Sequence, residues 1–335
     1  MILTVVVPVY NEIETLPALV AELRSVLDPL KIEYELLIVD DGSTDGSREL
    51  VFGFAERDAR IQLLSFSRNF GHQAAVSAGL DFAEGDAVVV MDGDLQDPPS
   101  LLPDMLALFD QGYDVVSPQR ISRRGDSFFK RTAITIFYWL MQKLVDKRVV
   151  PEVGDFRLYS RSAVLAIRNF REQHRFMRGL VAWLGLKEAI VPLHRQPRYA
   201  GEGKYPFWKL FKFAWTAVSS FSALPLRMSL GCGILLCVLS IVYFLYAAYN
   251  AVASRHVVPG WTSLVFLQCL FSGFTLLAIG LIGDYLAKVY EEAKGRPLYI
   301  VNSRKNVNIE GRQIQRAMVL PVRPDKAKAA GDHGA

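Results

Sequence analysis

Along residues 1–204 the apolar and polar positions follow two interleaved periods. Short continuous apolar runs occur at Leu3 to Val9, Tyr34 to Val39, Ile61 to Phe66, Ala87 to Met91 and Asp114 to Ser117. Runs of this length without alternation predict strands buried on both faces. Between them lie stretches with helical spacing, such as Leu16, Leu19, Val20, Leu23 and Leu27. Strands alternating with helices predict an α/β domain built on a mostly parallel sheet. The first run is too short for a secretory signal, lacks a basic flank and is stopped by Pro8 and Asn11-Glu12, so it reads as a buried first strand.

The pattern then changes. Two almost uncharged segments, Met228 to Asn250 and Thr262 to Gly283, are each long enough to cross a bilayer core of about 30 Å as a helix. The linker between them holds Arg255, His256, Pro259 and Gly260. Before them, Pro206 to Leu224 interleaves Phe207, Trp208, Phe211 and Trp215 with Lys209 and Lys212, which suits an amphipathic helix in the membrane interface or one packed on the catalytic domain. The expected organisation is therefore a catalytic domain at 1–204, an amphipathic juxtamembrane helix at 205–226, a first transmembrane helix at 227–250 and an extracytoplasmic linker at 251–261. A second transmembrane helix at 262–284, a juxtamembrane helix returning to the catalytic domain at 285–300 and a cytoplasmic tail at 301–335 complete it.

Charge orients this hairpin. Lys204, Lys209, Lys212 and Arg227 precede the first span and Lys288, Lys294 and Arg296 follow the second, which places both ends on the cytoplasmic face of the plasma (inner) membrane. The net charge of +4, from 38 Lys+Arg against 34 Asp+Glu, is too small to argue for nucleic acid. Cys232, Cys237 and Cys269 lie inside the proposed spans and read as small apolar packing residues, which argues against a disulfide, a zinc framework or redox chemistry. Gly273 and Gly280 would let a neighbouring helix approach, so a homo-oligomer is compatible with the hairpin.

In a parallel sheet, ligands bind beyond the carboxyl ends of the strands, and polar residues gather at those ends here. Pro8, Tyr10, Asn11 and Glu12 follow the first strand, Asp40 to Ser43 the second, Ser67 to His72 the third and Asp92 to Asp97 the fourth. Each could be an ordinary turn or cap, but four on one edge point to a site. Asp92, Asp94 and Gln96 place three oxygen ligands on one side of an extended turn, a pattern suited to Mg2+ or Mn2+; alone, the Asp-x-Asp spacing also suits a solvated turn. Such a cation would offset the charge of a departing diphosphate. Two basic groups, Arg123, Arg124, Lys130 and Arg131 near Arg120, and Arg171, His174, Arg175 and Arg178, are candidates for gripping a lipid phosphate. The acceptor-phosphate set expected from them is Arg123, Arg124, Lys130, Arg131 and Arg175.

Six motifs carry a family resemblance. Val6 to Glu12, Asp40-Asp41-Gly42-Ser43, Phe66 to His72, Asp92 to Pro99, Asp155-Phe156-Arg157-Leu158 and Gly201 to Tyr205 together resemble glycosyltransferase family 2. The likeness is to the polyprenyl-phosphate glycosyltransferases of bactoprenol glucosyltransferase type, similar to dolichol-phosphate mannose synthase in the catalytic half. It runs from near Leu3 to about Tyr299. The resemblance implies a GT-A nucleotide-sugar-binding domain followed by the interface helix and two transmembrane helices. It also implies inverting, metal-dependent transfer of a sugar from a nucleotide sugar to a polyprenyl (undecaprenyl) phosphate, for cell-envelope glycan or lipid modification. UDP-glucose is favoured as donor, with other UDP-sugars and GDP-mannose open.

Carried over by motif, Pro8, Tyr10, Glu12, Val39 and Asp41 hold the nucleoside, and Asp92, Gly93, Asp94 and Gln96 meet the metal and diphosphate. Arg120, Arg198 and Lys204 touch the phosphates, and Asp155 is the catalytic base or an orienting group. Two departures stand out: Gly93 where Ala is commoner, and Gly203 where relatives often have Ser. A processive polysaccharide synthase fits poorly because no Arg-Trp acceptor dipeptide occurs. A non-catalytic scaffold or lipid-translocation partner would leave the acidic ligands without a purpose.

Overall fold

The computed structural model describes residues 1–121, 142, 150–173, 175, 177–193, 224–253, 260–308, 314 and 316–319. The chain forms two compact units: Met1–Gln142 with Asp146–Pro206 and Arg296–Ala335, and Phe207–Gly295 with Lys143–Val145.

Among the described residues of the first unit, nine strands form one sheet in the order β7-β5-β6-β4-β1-β2-β3-β8-β9. Four of them, β1 (Ile2–Val9), β2 (Glu33–Asp40), β3 (Ile61–Phe66) and β4 (Ala87–Val90), are mutually parallel and coincide with the first four apolar runs. They are linked by α1 (Leu16–Leu27), α2 (Ser47–Arg57) and α3 (His72–Phe82); α4 (Leu102–Asp110) leads into β5 (Val115–Arg120). Both sheet faces are covered, which explains the continuous apolar runs. Leu3, Val5, Val7 and Val9 of β1 join one core with Leu16, Leu19 and Leu23 of α1 and Leu102 and Met105 of α4. On the other face α3 lies against β1 so closely that a Cβ on Gly79 would stand 2.0 Å from Cγ1 of Val6.

The remaining strands mix parallel and antiparallel pairs, and the sheet stays mostly parallel, as expected. β6 (Arg157–Ser160) runs antiparallel between β4 and β5, and β7 (Glu188–Leu193) pairs parallel with β5. β8 (Tyr299–Lys305) pairs antiparallel with β3 and carries β9 (Ala317–Val319) at the edge. Residues 301–305 and 317–319, expected in a cytoplasmic tail, therefore complete the sheet. The reason is local: Tyr299 and Val301 are fully buried, and the Tyr299 ring stacks on Phe66 at 5.2 Å.

Helix α3 is held at its carboxyl end by arginines. From α5 (Arg161–Arg168), Arg168 donates Nε to Leu80 O at 2.8 Å and Nη2 to Ala83 O at 2.7 Å, and Arg161 Nη1 reaches Ala83 O at 2.8 Å. Cations at that end suit both the orphan carbonyls and the helix dipole. Asp81, near the end of α3, accepts both Nη atoms of Arg171 at 2.7 and 2.8 Å and the Tyr299 hydroxyl at 2.8 Å. The short α6 (Met177–Leu184) follows.

The second unit contains α7 (Leu224–Ala253) and α8 (Trp261–Ala293), which contact one another. Each holds a stretch long and apolar enough to cross a membrane, Leu226–Tyr246 with mean hydropathy 2.4 and Leu270–Ala293 with 1.6, neither buried by protein. At 1.5 Å rise per residue, the 33 residues of α8 extend about 50 Å, so the helix outruns the expected span at 262–284 and takes in most of the region expected as a separate juxtamembrane helix. The expected amphipathic helix lies outside the described residues except for its last positions, which belong to α7.

Candidate functional site

The polar turns after β1, β2 and β4, the start of α3 and the residue that leads into β6 enclose a cavity of about 540 Å3, within the size range of small-molecule sites. Pro8, Tyr10, Glu12, Asp41, Asn69, Gly71, His72, Asp92, Gly93, Asp94 and Asp155 line it. Residues that are far apart in sequence thus converge because parallel strands release their loops on one edge.

The acidic doublet after β2 divides its work. Asp40, 1% exposed, accepts Ser65 Oγ at 2.6 Å and Arg48 Nε at 3.0 Å on Oδ2, and the Ser43 backbone N–H at 2.9 Å on Oδ1. It is a structural brace. Asp41 lines the cavity and accepts the backbone N–H of Phe70 at 2.6 Å and of Gly71 at 2.9 Å, one on each oxygen. Burial pushes its carboxyl above the usual carboxylate range, against the lowering effect of those two bonds. The turn leaves room for no side chain at Gly42, whose φ is +73° and whose Cβ would meet Arg68 C at 2.5 Å. Asn11 knits the neighbouring loop to this one by accepting Thr44 N–H at 2.8 Å and donating its own N–H to Ser43 Oγ at 3.0 Å.

The turn after β4 is tightly determined. Oδ1 of Asp94 accepts the Gln96 N–H at 3.1 Å, and Leu95 between them adopts φ of +59°, uncommon for a residue with a Cβ. Thr15, 3% exposed at the start of α1, directs its hydroxyl at Gly93 O at 3.0 Å and at Glu12 O and Oε2, each at 3.1 Å. A Cβ at Gly93 would lie 3.4 Å from Pro8 O, near ordinary contact, so the departure from the commoner Ala is sterically mild. No cage of three or more His, Cys, Asp or Glu side chains occurs among the described residues. Two carboxylates, Asp92 and Asp94, do face one cavity. That donor set fits a hard divalent cation that would draw its remaining oxygen ligands from outside the protein.

Asp155 stands opposite. Its Oδ2 lies 3.1 Å from Nε2 of Gln73 and 3.3 Å from Nε2 of His72, and the same imidazole nitrogen is 3.6 Å from Oδ1 of Asp92. The start of α3 therefore bridges the two acidic sides of the cavity.

The structure separates other expected residues from this lining. Val39 is fully buried in β2, paired to Pro8 on one side and Leu64 on the other. Gln96, 8% exposed, contributes its backbone N–H to the turn and does not line the cavity. Arg120, at the end of β5, is half-buried outside the lining and donates its backbone N–H to Glu152 O at 3.2 Å. Arg175 is half-buried in the electrostatic surroundings of Asp81, Arg171 and Tyr299, by the carboxyl end of α3, and burial holds its guanidinium below its ordinary range. It too is absent from the lining, which the amino-terminal end of α3 supplies. Arg123, Arg124, Lys130, Arg131, Arg198 and Lys204 lie outside the described residues. Conversely, Thr15, Asn69, His72 and Gln73 belong to the site without having been assigned roles. The polar turn Ser67 to His72 marked the neighbourhood of Asn69, His72 and Gln73, but only the fold brings α3 against Asp155.

Residues 4–168 match the family described as Glycosyl transferase family 2. The chain is 41% identical over 313 residues to the uncharacterized glycosyltransferase YkcC of Bacillus subtilis, covering 93% of this chain and 96% of that one. It is 40% identical over 300 residues to the uncharacterized glycosyltransferase sll0501 of Synechocystis, covering 90% and 94%. It is also 35% identical over 303 residues to the bactoprenol glucosyl transferase of Shigella phage SfV, covering 90% and 99%. Among solved structures, glucosyl-3-phosphoglycerate synthase from Mycobacterium tuberculosis, in complex with Mn2+, UDP-glucose and phosphoglyceric acid, aligns over 65% of this chain and 77% of its own. The TM-score is 0.47 and the identity 18%.

Proposed function

From the premise that the chain belongs to glycosyl transferase family 2 and is a glycosyltransferase, we propose that it transfers glucose from UDP-glucose to a polyprenyl phosphate at the cytoplasmic face of a membrane. The observation that carries this reading is the meeting of Asp41, the Asp92–Asp94 pair and Asp155 around one cavity at the carboxyl edge of a mostly parallel sheet of the GT-A type. The 35% identity to a bactoprenol glucosyl transferase, over 90% of the chain, supports the acceptor class and the sugar. The apolar helices α7 and α8 support the membrane setting. Arg227 at the start of the first apolar stretch and Lys294 and Arg296 after α8 support a cytoplasmic site.

In this reading Pro8, Tyr10, Glu12 and Asp41 receive the nucleoside; Tyr10, 47% exposed, offers its ring to the base. Asp92 and Asp94 hold Mg2+ or Mn2+, which when bound offsets the charge that develops on the diphosphate. Arg120, Arg198 and Lys204 remain proposed phosphate contacts, and the basic segment with Arg123, Arg124, Lys130 and Arg131 the proposed grip on the acceptor. A phosphate oxygen of the acceptor attacks the anomeric carbon, the bond from that carbon to the β-phosphate oxygen breaks, and UDP leaves with the electron pair, inverting the configuration. Because a phosphate monoester has a second pKa near 6, the acceptor is largely dianionic at neutral pH. Asp155 therefore has to orient the acceptor or take its residual proton, rather than generate a strong nucleophile.

The test is transfer of radiolabel from UDP-glucose into undecaprenyl phosphate by purified full-length protein, with and without chelator. Label in the lipid fraction that disappears with EDTA and returns with Mg2+ or Mn2+ is expected. Chelator-insensitive transfer would reject the metal assignment; transfer from GDP-mannose or another UDP-sugar alone would reject the donor; no transfer from any donor would favour a non-catalytic scaffold.

A further inference from the structure

We infer that Gln73, the second residue of α3, is a positioning residue that fixes the Asp155 carboxylate in its working rotamer. The inference rests on the reading of Asp155 as the acceptor-side carboxylate. Gln73 lies 82 residues from Asp155 in sequence, yet its side-chain amide donates to Oδ2 at 3.1 Å. His72 addresses the same oxygen at 3.3 Å, so two adjacent residues of one helix terminus converge on a single carboxylate atom. The amide donates at any pH, and the first turn of a helix is electrostatically favourable to a carboxylate.

The other end of the Gln73 amide strengthens the argument. Its Oε1 is buried and has no hydrogen-bond partner among the described residues, an arrangement that costs stability and is uncommon in native interiors. Rotating the amide by half a turn would direct Oε1 at the carboxylate instead of the N–H. The side chain is therefore committed to Asp155 at the expense of its own acceptor, as expected of a group held for function.

The platform beneath it is rigid. Asp41 ties the Phe70 and Gly71 N–H groups at 2.6 and 2.9 Å, immediately before α3 begins. The opposite end of the helix is fastened by Arg161 and Arg168, and Gly79 lets the helix seat directly on β1. A carboxylate placed from such an element is held better than one placed from a loop.

Gln73→Leu and Gln73→Met keep side-chain bulk and remove the donor. Both are expected to lower kcat by about 10- to 100-fold, as misplacement of a catalytic group does, with KM for UDP-glucose within about twofold because no nucleotide contact changes. Gln73→Asn retains an amide and should recover part of the lost kcat. In an Asp155→Asn background, Gln73→Leu should cost little more, since a residue acting through Asp155 has nothing left to position. Equal losses in kcat and nucleotide affinity, or losses that multiply in the double variant, would overturn the inference while leaving Asp155 in place. If Asp155→Asn alone leaves kcat unchanged, the underlying reading of Asp155 fails instead. Thermal unfolding of both Gln73 variants separates a folding defect from a positioning one: a variant with native Tm and native kcat also refutes the role.

Discussion

Replacing Thr15 by Val removes one hydroxyl from a residue 3% exposed and changes little else in shape. That hydroxyl has one proton to give and three acceptors around it, Gly93 O at 3.0 Å and Glu12 O and Oε2 at 3.1 Å. It thereby joins the loop after β1 to the turn that carries Asp92 and Asp94. The turn needs such a restraint, because Leu95 holds φ of +59°, a conformation costing about 1–3 kcal/mol in a residue other than glycine. Losing the bond costs about 1 kcal/mol net, rising to about 3 kcal/mol if the Gly93 carbonyl is left buried and unpaired.

If that energy is lost in the turn, affinity for a divalent cation should fall by about 5- to 140-fold, at tenfold per 1.4 kcal/mol. The assay is Mn2+ binding to the full-length protein, read from the free-ion electron paramagnetic resonance signal with UDP present, so that catalysis is not required. Thr15→Ser retains the hydroxyl and should bind as the native protein does. A Thr15→Val protein whose Mn2+ affinity stays within twofold of native, or a Thr15→Ser protein weakened as much as Thr15→Val, would refute the idea that this hydroxyl clamps the turn.

Asp94→Ala should abolish transfer and Mn2+ binding together while leaving Tm close to native; transfer that persists in the lipid-extraction assay would remove Asp94 from the machinery. Arg171→Met takes the bidentate partner from Asp81, whose side chain is 2% exposed. A broken buried pair costs about 3–5 kcal/mol, so Tm should drop by about 6–20 °C and recover only in part in Arg171→Met/Asp81→Leu, which leaves the buried Tyr299 hydroxyl without its acceptor. The Arg60 guanidinium beside Asp58 is the largest influence holding that carboxyl below its ordinary range. Its folded pKa is thus depressed, and the stability it contributes is complete above the unfolded value near 4 and is lost as pH falls through the folded one. Asp58→Asn should therefore lower Tm by about 2–4 °C at pH 7, a gap that closes in thermal scans as the pH falls through the depressed folded value. Gly79→Ala forces a methyl to within 2.0 Å of Val6; at about 1–3 kcal/mol for overpacking, unfolding should show a clear loss, with kcat falling too because α3 carries Gln73.

The legible part of the fold was the part governed by local pattern. β1 to β4 were visible because a strand covered on both sides cannot afford polar positions, and their exits were visible because Asp, Asn and Gly cluster where parallel strands end. That is why Pro8, Tyr10, Glu12, Asp41, Asp92 and Asp94 stood out at the strand exits; they line one cavity together with Asp155, which the family motif supplied. The apolar lengths of α7 and α8 were equally plain, since hydropathy over some 20 residues is a local quantity.

Pairing partners are not local, and there the sequence was silent. Tyr299 to Lys305 reads as an ordinary segment beyond a membrane helix, with nothing to announce that it lies antiparallel beside β3 and stacks Tyr299 on Phe66. β6 is equally opaque, and its consequence is functional: by running antiparallel to β4, with Arg157 beside Val90, it brings Asp155 to the edge where Asp92 leaves β4. The motif identified Asp155; only this pairing sets it against α3. Residues that touch substrate are marked by their chemistry, whereas Thr15 and Gln73 act through a carbonyl and a carboxylate and carry no sign of it in residue type. The same geometry moves Gln96 and Val39 the other way. Both sit in motif positions, yet one contributes a backbone N–H and the other a packed side chain. An Asp92–Asp94 turn supported by Thr15, facing an Asp155 supported by Gln73, requires both loops to rest on elements that are fixed independently of the ligand. The arginine-fastened α3 and the core-packed α1 meet that requirement.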